Sequence, residues 1–403
     1  MPSSDDSPAV HHRSGSERPR LCRDAAVRAD HVVRAVRVSG EGGVEPVDRG
    51  SSSSGILPSG CSVVICTHRR PAAVRRFIES LTDQLPPAQL LIVDASPDDS
   101  TEHMLEEVAA AGALPCVTDY LRVDGPLRGL TRQRNVALEY VTAQLVAFFD
   151  DDVVLLPGAL DRLVVALVSR GVRAERLSGV GAVIENELAP PDALWRIRRA
   201  LRVVSTLRPG AYTTSGMSVP WRFLSQQGAA DEAASSGALV EGDWLPGGAM
   251  VWRTEQAREV GFCETLAGYA SGEDLEFSLR MRAYGPLAVV ADAAVLHLPA
   301  SGGRPDQAAM GYLGARNLFH IHQTCRGDRS RWQTAYFLYA FALDTLVRLL
   351  ALVRPGPVAA RWAFVRGRLR FFRTVLLKPG DPGAPPLTVA AAEAGGVGRI
   401  RNG

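Results

Sequence analysis

Phe148–Asp152 reads FFDDD, so the apolar strand predicted over Leu145 to Phe149 ends in three carboxylates just before a Pro-Gly helix start at Pro157. In an open α/β sheet, ligands bind beyond the carboxyl ends of the strands, and acids placed there meet whatever the sheet binds. Three clustered carboxylates repel one another unless a cation or a strong donor compensates. Oxygen ligation of that kind suits Mg²⁺ or Mn²⁺, commonly with a diphosphate completing the shell. On this run alone the competing reading is a solvated acidic turn that caps the next helix.

Outward from that run, strand and helix signals alternate. Ser62 to Cys66 (SVVIC) and Gln89 to Val93 (QLLIV) are short continuous apolar runs, as expected of strands buried on both faces. Helices are predicted from Pro71 to Leu81, over Thr101 to Ala111 and over Thr131 to Val141, with a further strand at Val117 to Val123. After the acidic run come a helix, Gly158 to Ser169, and a strand, Val180 to Ile184. This spacing implies parallel strands with right-handed crossovers, a mostly parallel, Rossmann-like nucleotide-binding α/β sheet. Residues Glu185 to Gly242 lose periodicity, and so long a loop in a compact domain is expected to shape the acceptor side of a site. Regularity returns at Gly247 to Trp252, at a helix over Glu255 to Val260 and at a second acidic helix start, Gly272 to Asp274.

The ends of the 403 residues are not core-like. Residues 1–60 are rich in Ser, Gly, Arg and Asp and read as a disordered tail, too charged for a secretory signal, and 380–403 read as a flexible tail. Domains are thus expected at 61–301 for the α/β unit and at 302–379 for a helical appendage. A formal net charge of +2 gives no case for nucleic acid. The six cysteines are scattered without a CxxC pair, which points to a reducing cytoplasm and away from a zinc site.

The order of seven motifs is more specific than any one of them: CTHRRP at Cys66 to Pro71, VDASPDDST at Val93 to Thr101, GLTRQRN at Gly129 to Asn135, FFDDD, WLPGGAM at Trp244 to Met250, GEDLEFSLR at Gly272 to Arg280 and HLPASGG at His297 to Gly303. In this order they resemble the inverting family 2 glycosyltransferases with the GT-A fold, over roughly Cys61 to Phe319. The resemblance implies transfer of a sugar from a nucleoside diphosphate donor to a hydroxyl acceptor, with Mn²⁺ or Mg²⁺ held by an Asp-x-Asp pair.

By that resemblance Asp150 faces the ribose and the metal, Asp152 ligates the metal, and His297 matches a later metal or diphosphate contact; alone, His297 reads equally as a half-buried histidine. Asp94 matches a residue that accepts from a ring N–H of the base, with a helix cap as its plainer reading. Arg134 and Asn135 match a pair facing the nucleotide. Thr67 and Arg69, at the end of the first strand, offer a hydroxyl, backbone and charge to a base edge or phosphate. Asp98, Asp99 and Glu276 fit turn and helix-pair roles, and Arg132 a solvated helix face. An inverting displacement needs a base opposite the leaving group, and the resemblance gives that role to Asp274, with Glu273 orienting it; two acids in a first turn would also suit the helix dipole. Gly247 and Gly248 permit close backbone approach, making WLPGGAM an acceptor floor with Trp244 as a stacking ring.

Ala335 to Val353 is long and apolar but contains Asp344 and Arg348 at i,i+4 spacing, which argues against a simple lipid-facing span. Trp362, Val365, Leu369, Phe372 and Leu376 recur at helical spacing, with Arg361, Arg366, Arg370 and Arg373 mainly elsewhere on the wheel. That pattern reads as a basic amphipathic helix at a membrane surface, with packing on the catalytic domain as the alternative. The expectation is therefore a cytoplasmic enzyme at the inner face of the membrane, acting on a lipid-linked or cell-envelope glycan precursor. The rival readings are a nucleotidyltransferase and a non-catalytic nucleotide-sugar binder.

Overall fold

The structure, a computed structural model, describes residues 32–38, 44–46, 60–169, 177–185, 239–242, 244–266, 270–299, 306–325, 331–353 and 356–377. Its strands in chain order are β1 (Val32–Val38), β2 (Val44–Pro46), β3 (Cys61–Thr67), β4 (Gln89–Asp94), β5 (Thr118–Val123) and β6 (Leu145–Asp150). They continue with β7 (Val153–Leu155), β8 (Gly179–Ile184), β9 (Leu239–Gly242), β10 (Ala249–Arg253) and β11 (Leu287–His297). Among the described residues these form one sheet in the order β2-β1-β5-β4-β3-β6-β10-β8-β11-β7, with β9 on β11. The centre, β5-β4-β3-β6, is parallel, and its registers align Thr67 with Asp94 and Cys66 with Asp150. Three chemistry-bearing strand ends are thereby brought side by side.

Alternation along the strands sends neighbouring side chains to opposite layers. Phe149 and Ile65 join the core under α1 (Pro71–Ser80), α2 (Ser100–Ala110) and α4 (Ala159–Val168). Phe148 and Val64 join the other, under α3 (Leu130–Tyr140), α5 (Thr254–Val260) and α6 (Glu273–Met281). The result is a three-layer α/β/α unit of the GT-A kind, mostly parallel at its core, with helices following it.

Three expectations need correction. β10 runs antiparallel to both β6 and β8, so the sheet is mixed beyond the acidic strand. Second, the stretch expected to be a disordered tail contains β1, which pairs antiparallel with β5. Its arginines gave it a polar look, yet Arg37 makes a two-pronged contact with the buried Asp119 (2.7 and 3.1 Å) and Arg34 meets Glu102 at 2.8 Å. Neutralised in that way, VVRAVRV lays valines on both cores. The rest of 1–59 and all of 378–403 lie outside the described residues. Third, the loop expected over Glu185 to Gly242 ends in strand β9; residues 186–238 are not among those described.

Three helices follow the sheet: α7 (Gln307–Thr324), α8 (Arg331–Leu350) and α9 (Val358–Leu377). Among the described residues, none is long and apolar enough to cross a membrane. α7 and α9 cross at two glycines: a Cβ on Gly311 would overlap the Phe364 carbonyl, and one on Gly367 the Ala308 carbonyl. Phe337, Phe341 and Phe371 with Ala315 form a separate small core. Inside it Asp344 binds both Arg348 and Arg368 at 3.0 Å, and the Arg368 guanidinium lies 4.0 Å from the Phe341 ring centre. The stripe read from sequence on α9 is divided: Val365 packs inward and Phe372 partly so, whereas Trp362 and Leu369 face out. The helix rotates because Gly367 and Arg368, which sequence patterning counts as non-apolar, are both buried. The Leu376 side chain lies outside the described residues.

Candidate active site

Asp94 ends β4 wholly buried. One carboxylate oxygen accepts from the backbone and hydroxyl of Ser96, and the other from the Tyr120 hydroxyl at 3.0 Å. Burial and the adjoining Asp94 charge push the Tyr120 phenol up, keeping it a donor. Gln133 ties the neighbouring strand ends together, donating to the carbonyls of Thr67 (3.1 Å) and Val93 (2.9 Å). Arg69 is exposed beside them with φ +56°, a left-handed conformation that costs a non-glycine residue energy and clusters at functional sites. Its amide donates to Ser96 Oγ at 2.6 Å, so Ser96 links both strand ends.

The three aspartates take different roles. Asp151, the middle one, is buried and accepts from Thr67 Oγ1 (2.7 Å) and Arg70 Nη1 (2.9 Å). Burial pushes its carboxyl up to about 6, with Arg70 and Thr67 opposing. The Thr67 hydroxyl is thus held by Asp151, a role that sequence reading did not give it. Asp150 remains partly open, and Asp152 is buried. β7 returns against β11 so that Val153 pairs with His297, which sets His297 Nε2 3.3 Å from Asp152 Oδ1. Arg70 approaches the other Asp152 oxygen at 3.5 Å. Among the described residues no three His, Cys, Asp or Glu side chains converge as a cage. What the chain offers a cation is Asp152 with His297, and Asp150 on the adjoining strand end. Such a partial donor set fits a divalent ion that takes its other ligands from phosphate and water.

A second carboxylate pair sits in the first turn of α6, behind Gly272 at φ +90°. Asp274 accepts from the Gly247 amide (3.0 Å) and the Leu275 amide (2.8 Å). Desolvation raises the carboxyls of both Glu273 and Asp274 well above the ordinary range, and the Asp274 charge raises Glu273 further. Gly247 is required here: a Cβ would lie 3.0 Å from Asp274 Cβ and from Glu273 Oε1. Gly248 abuts Asp150 in the same way, at 3.3 Å from its oxygen.

Arg134 joins the two clusters. Only 1% exposed, it donates to Glu273 (3.2 Å), Asp150 (3.2 Å) and the Gly247 carbonyl (2.8 Å), and its guanidinium lies 5.7 Å from the Phe148 ring centre and 5.3 Å from that of Phe262. Sequence reading sets it toward the nucleotide; the fold makes it a buried brace. Asn135 is likewise enclosed, exchanging hydrogen bonds with the Phe262 backbone and donating to Glu264. Trp244 is half-buried beside this floor, and its indole Nε1 is buried without a hydrogen-bond partner among the described residues. Asp98 accepts from Ser100 in a turn and Glu276 pairs with Arg280, as their sequence context suggested, whereas the Asp99 side chain pairs with Arg122 and makes no cap hydrogen bond to α2.

Sequence reading missed Gln133, Tyr120, Ser96, Arg70 and Asp151. All but Tyr120 lie inside the quoted motifs, yet only Arg70 and Asp151 could have been found, from the need to compensate a third carboxylate; the other three act through register that only the fold supplies.

Residues 62–177 match the model of glycosyl transferase family 2. No curated protein matches the chain significantly. Among solved structures, the chain is similar to the mannosyltransferase PcManGT from Pyrobaculum calidifontis, in complex with GDP-Man and Mn²⁺, at 14% identity and a TM-score of 0.46, covering 81% of this chain and 89% of that one. It is also similar to residues 1–349 of S. aureus TarS, at 15% identity and a TM-score of 0.40, covering 79% and 91%. The motif order and the strand-end geometry agree with that match to glycosyl transferase family 2 over residues 62–177.

Proposed function

We propose that the protein catalyses metal-dependent, inverting transfer of a sugar from a nucleoside diphosphate donor to a hydroxyl acceptor. The observation that carries this reading is Arg134, which contacts both Asp150 and Glu273 and so draws the two carboxylate clusters together. Asp152 and His297, with Asp150, would hold Mn²⁺ or Mg²⁺; a mixed carboxylate and imidazole set favours Mn²⁺. When bound, the cation supplies charge stabilisation for the departing nucleoside diphosphate. Arg69, exposed at the strand end, adds a cation toward the phosphates.

Asp274 then accepts the proton of the attacking acceptor hydroxyl. The Gly247 and Leu275 amides fix its carboxylate while its desolvation makes it a stronger base than a solvated aspartate. Glu273 stays tied to Arg134, which limits repulsion beside the base. Trp244, Gly247 and Gly248 form the acceptor floor, with the half-buried Trp244 ring as its stacking face. The acceptor is a lipid-linked or cell-envelope glycan precursor, met in the cytoplasm at the inner membrane face; the support is the arginine-rich helical end of the chain.

Calorimetry with a panel of UDP, GDP and dTDP sugars tests the donor side. Binding of one donor should require Mn²⁺, and Asp152→Asn should lose that metal-dependent binding while keeping its melting temperature within a few degrees. Equal donor affinity with and without the metal in the parent protein overturns the assignment.

A further inference from the structure

The helices after the sheet turn apolar surface outward. On α8 the inner side is taken by Phe337, Phe341, Thr345 and Val347, while Ala335, Tyr339, Ala342, Leu346 and Leu350 stand exposed at spacings of three and four, one face of the helix. Tyr339 is 51% exposed, Leu346 49%, Leu350 51%, and Val353, just past the helix, 89%. No charged residue interrupts that line. On α9 the outward line is Trp362, Arg366, Leu369 and Arg373, apolar and cationic in turn. Residues 331–377 hold eight arginines and one acid. That acid, Asp344, is directed into the bundle onto Arg348 and Arg368, so it does not offset the outward charge.

We propose that the outward face of α8, together with the arginine line of α9, docks on an anionic phospholipid surface, with α8 lying along the headgroup boundary. The occupant is argued from charge and from chemistry. A cationic face without an outward carboxylate among the described residues calls for an anionic partner, and a mainly aliphatic line, with the Tyr339 hydroxyl as its polar group, offers a protein partner little to set register. Tyr and Trp flanking such a line suit the boundary between headgroups and acyl chains. α8 is too polar to cross, and apolar contact and charge are both present, the two signals that stable surface attachment needs. This face differs from the stripe read on α9 by sequence, half of which is packed inside. The inference takes from the proposed function only its place at a membrane face and does not depend on sugar transfer.

Flotation of the full chain with vesicles of phosphatidylcholine, alone or mixed with phosphatidylglycerol, tests it. The protein should float with the mixed vesicles at low salt and much less with phosphatidylcholine alone. Arg366→Gln with Arg373→Gln should weaken partitioning by about fivefold per arginine, and more so at low salt than at high. Leu346→Gln with Leu350→Gln should weaken it about tenfold or more at either salt. If that pair does not melt cooperatively, Trp362→Gln, also at a half-exposed position, takes its place. The proposal falls if the parent stays with the soluble fraction on mixed vesicles at low salt, or if the variants float as well as the parent. It also falls if sedimentation shows a parent dimer that the leucine pair converts to monomer, since the face is then a subunit contact. Donor-dependent melting shifts run on the same samples keep the two readings apart: a protein that floats but is stabilised by no nucleotide sugar counts against transfer alone.

Discussion

Arg134 shows how a single residue organises this site. Its charge lies between Asp150 and Glu273 and is desolvated against two phenylalanine rings, so the buried Glu273 sees a cation that solvent screens little, while the partly open Asp150 sees a more screened one. Asp274 lacks that direct contact and is held by the Gly247 and Leu275 amides instead, which fits the base role proposed for it. Asp274→Asn should therefore keep donor affinity within about threefold and cut transfer by ~10²-fold or more, the usual scale for a lost general base; a normal rate would move the role to Glu273. The raised carboxyls also set a pH dependence. Transfer should climb as the pH rises through the elevated range, because the base must be ionised. Stability runs the other way: with folded values above the unfolded ones, the native state binds more protons, so the contribution present at low pH is lost as the pH rises through the folded values. Melts in chelator should show a transition temperature that declines from the ordinary glutamate range through neutrality. The decline should be shallower in Glu273→Gln.

At the scale of elements, the sheet order follows from short apolar runs and acidic or glycine stops, and that much was legible. The strands β3, β4 and β6 and the helices α1 to α5 fall within a residue or two of where periodicity places them, and α6 begins within the acidic start at Gly272 to Asp274. What could not be read was pairing. β1 looked polar because its partners, Asp119 and Glu102, lie far along the chain, and β10 carries no mark in its own sequence of running antiparallel to its neighbours. The site was legible wherever a motif carried its own chemistry, as in the aspartates and the Glu273-Asp274 pair, and illegible where a residue acts through register, as with Gln133. Gly247 joins the two levels, since its lack of a side chain lets the start of β10 meet the first turn of α6. Gly247→Ala should push that turn back by a few tenths of an ångström and lengthen the Asp274 contact. The expected result is a loss of about 1–3 kcal/mol in stability from overpacking, with transfer reduced about tenfold and donor affinity unchanged. Denaturant melts beside steady-state kinetics check both parts.

On the scale of the whole molecule, the helices after the sheet also hold the turn that carries Glu273 and Asp274. Asn317 of α7, fully buried, donates to the Ser271 carbonyl at 2.9 Å, Arg316 donates to the Thr265 carbonyl at 2.8 Å, and Ile321 lies against Gly272. These contacts brace the segment from which Glu273 and Asp274 project. α7 in turn leans on α9 through the Gly311 and Gly367 crossing, so a chain cut after α7 would uncover that close-packed face. α7 therefore connects the turn that carries Glu273 and Asp274 to α9, whose outward side is part of the proposed lipid-facing surface. Asn317→Ala should separate this bracing from binding: losing one hydrogen bond costs about 1 kcal/mol of stability, while the Ser271 to Asp274 turn gains freedom. Because small misplacements of a reacting group cost rate steeply, kcat should fall about tenfold with the donor Kd and vesicle flotation unchanged. Measuring all three on one preparation decides the matter. Should kcat hold while flotation drops, α7 would serve the membrane face alone and the base would be positioned from within the sheet unit.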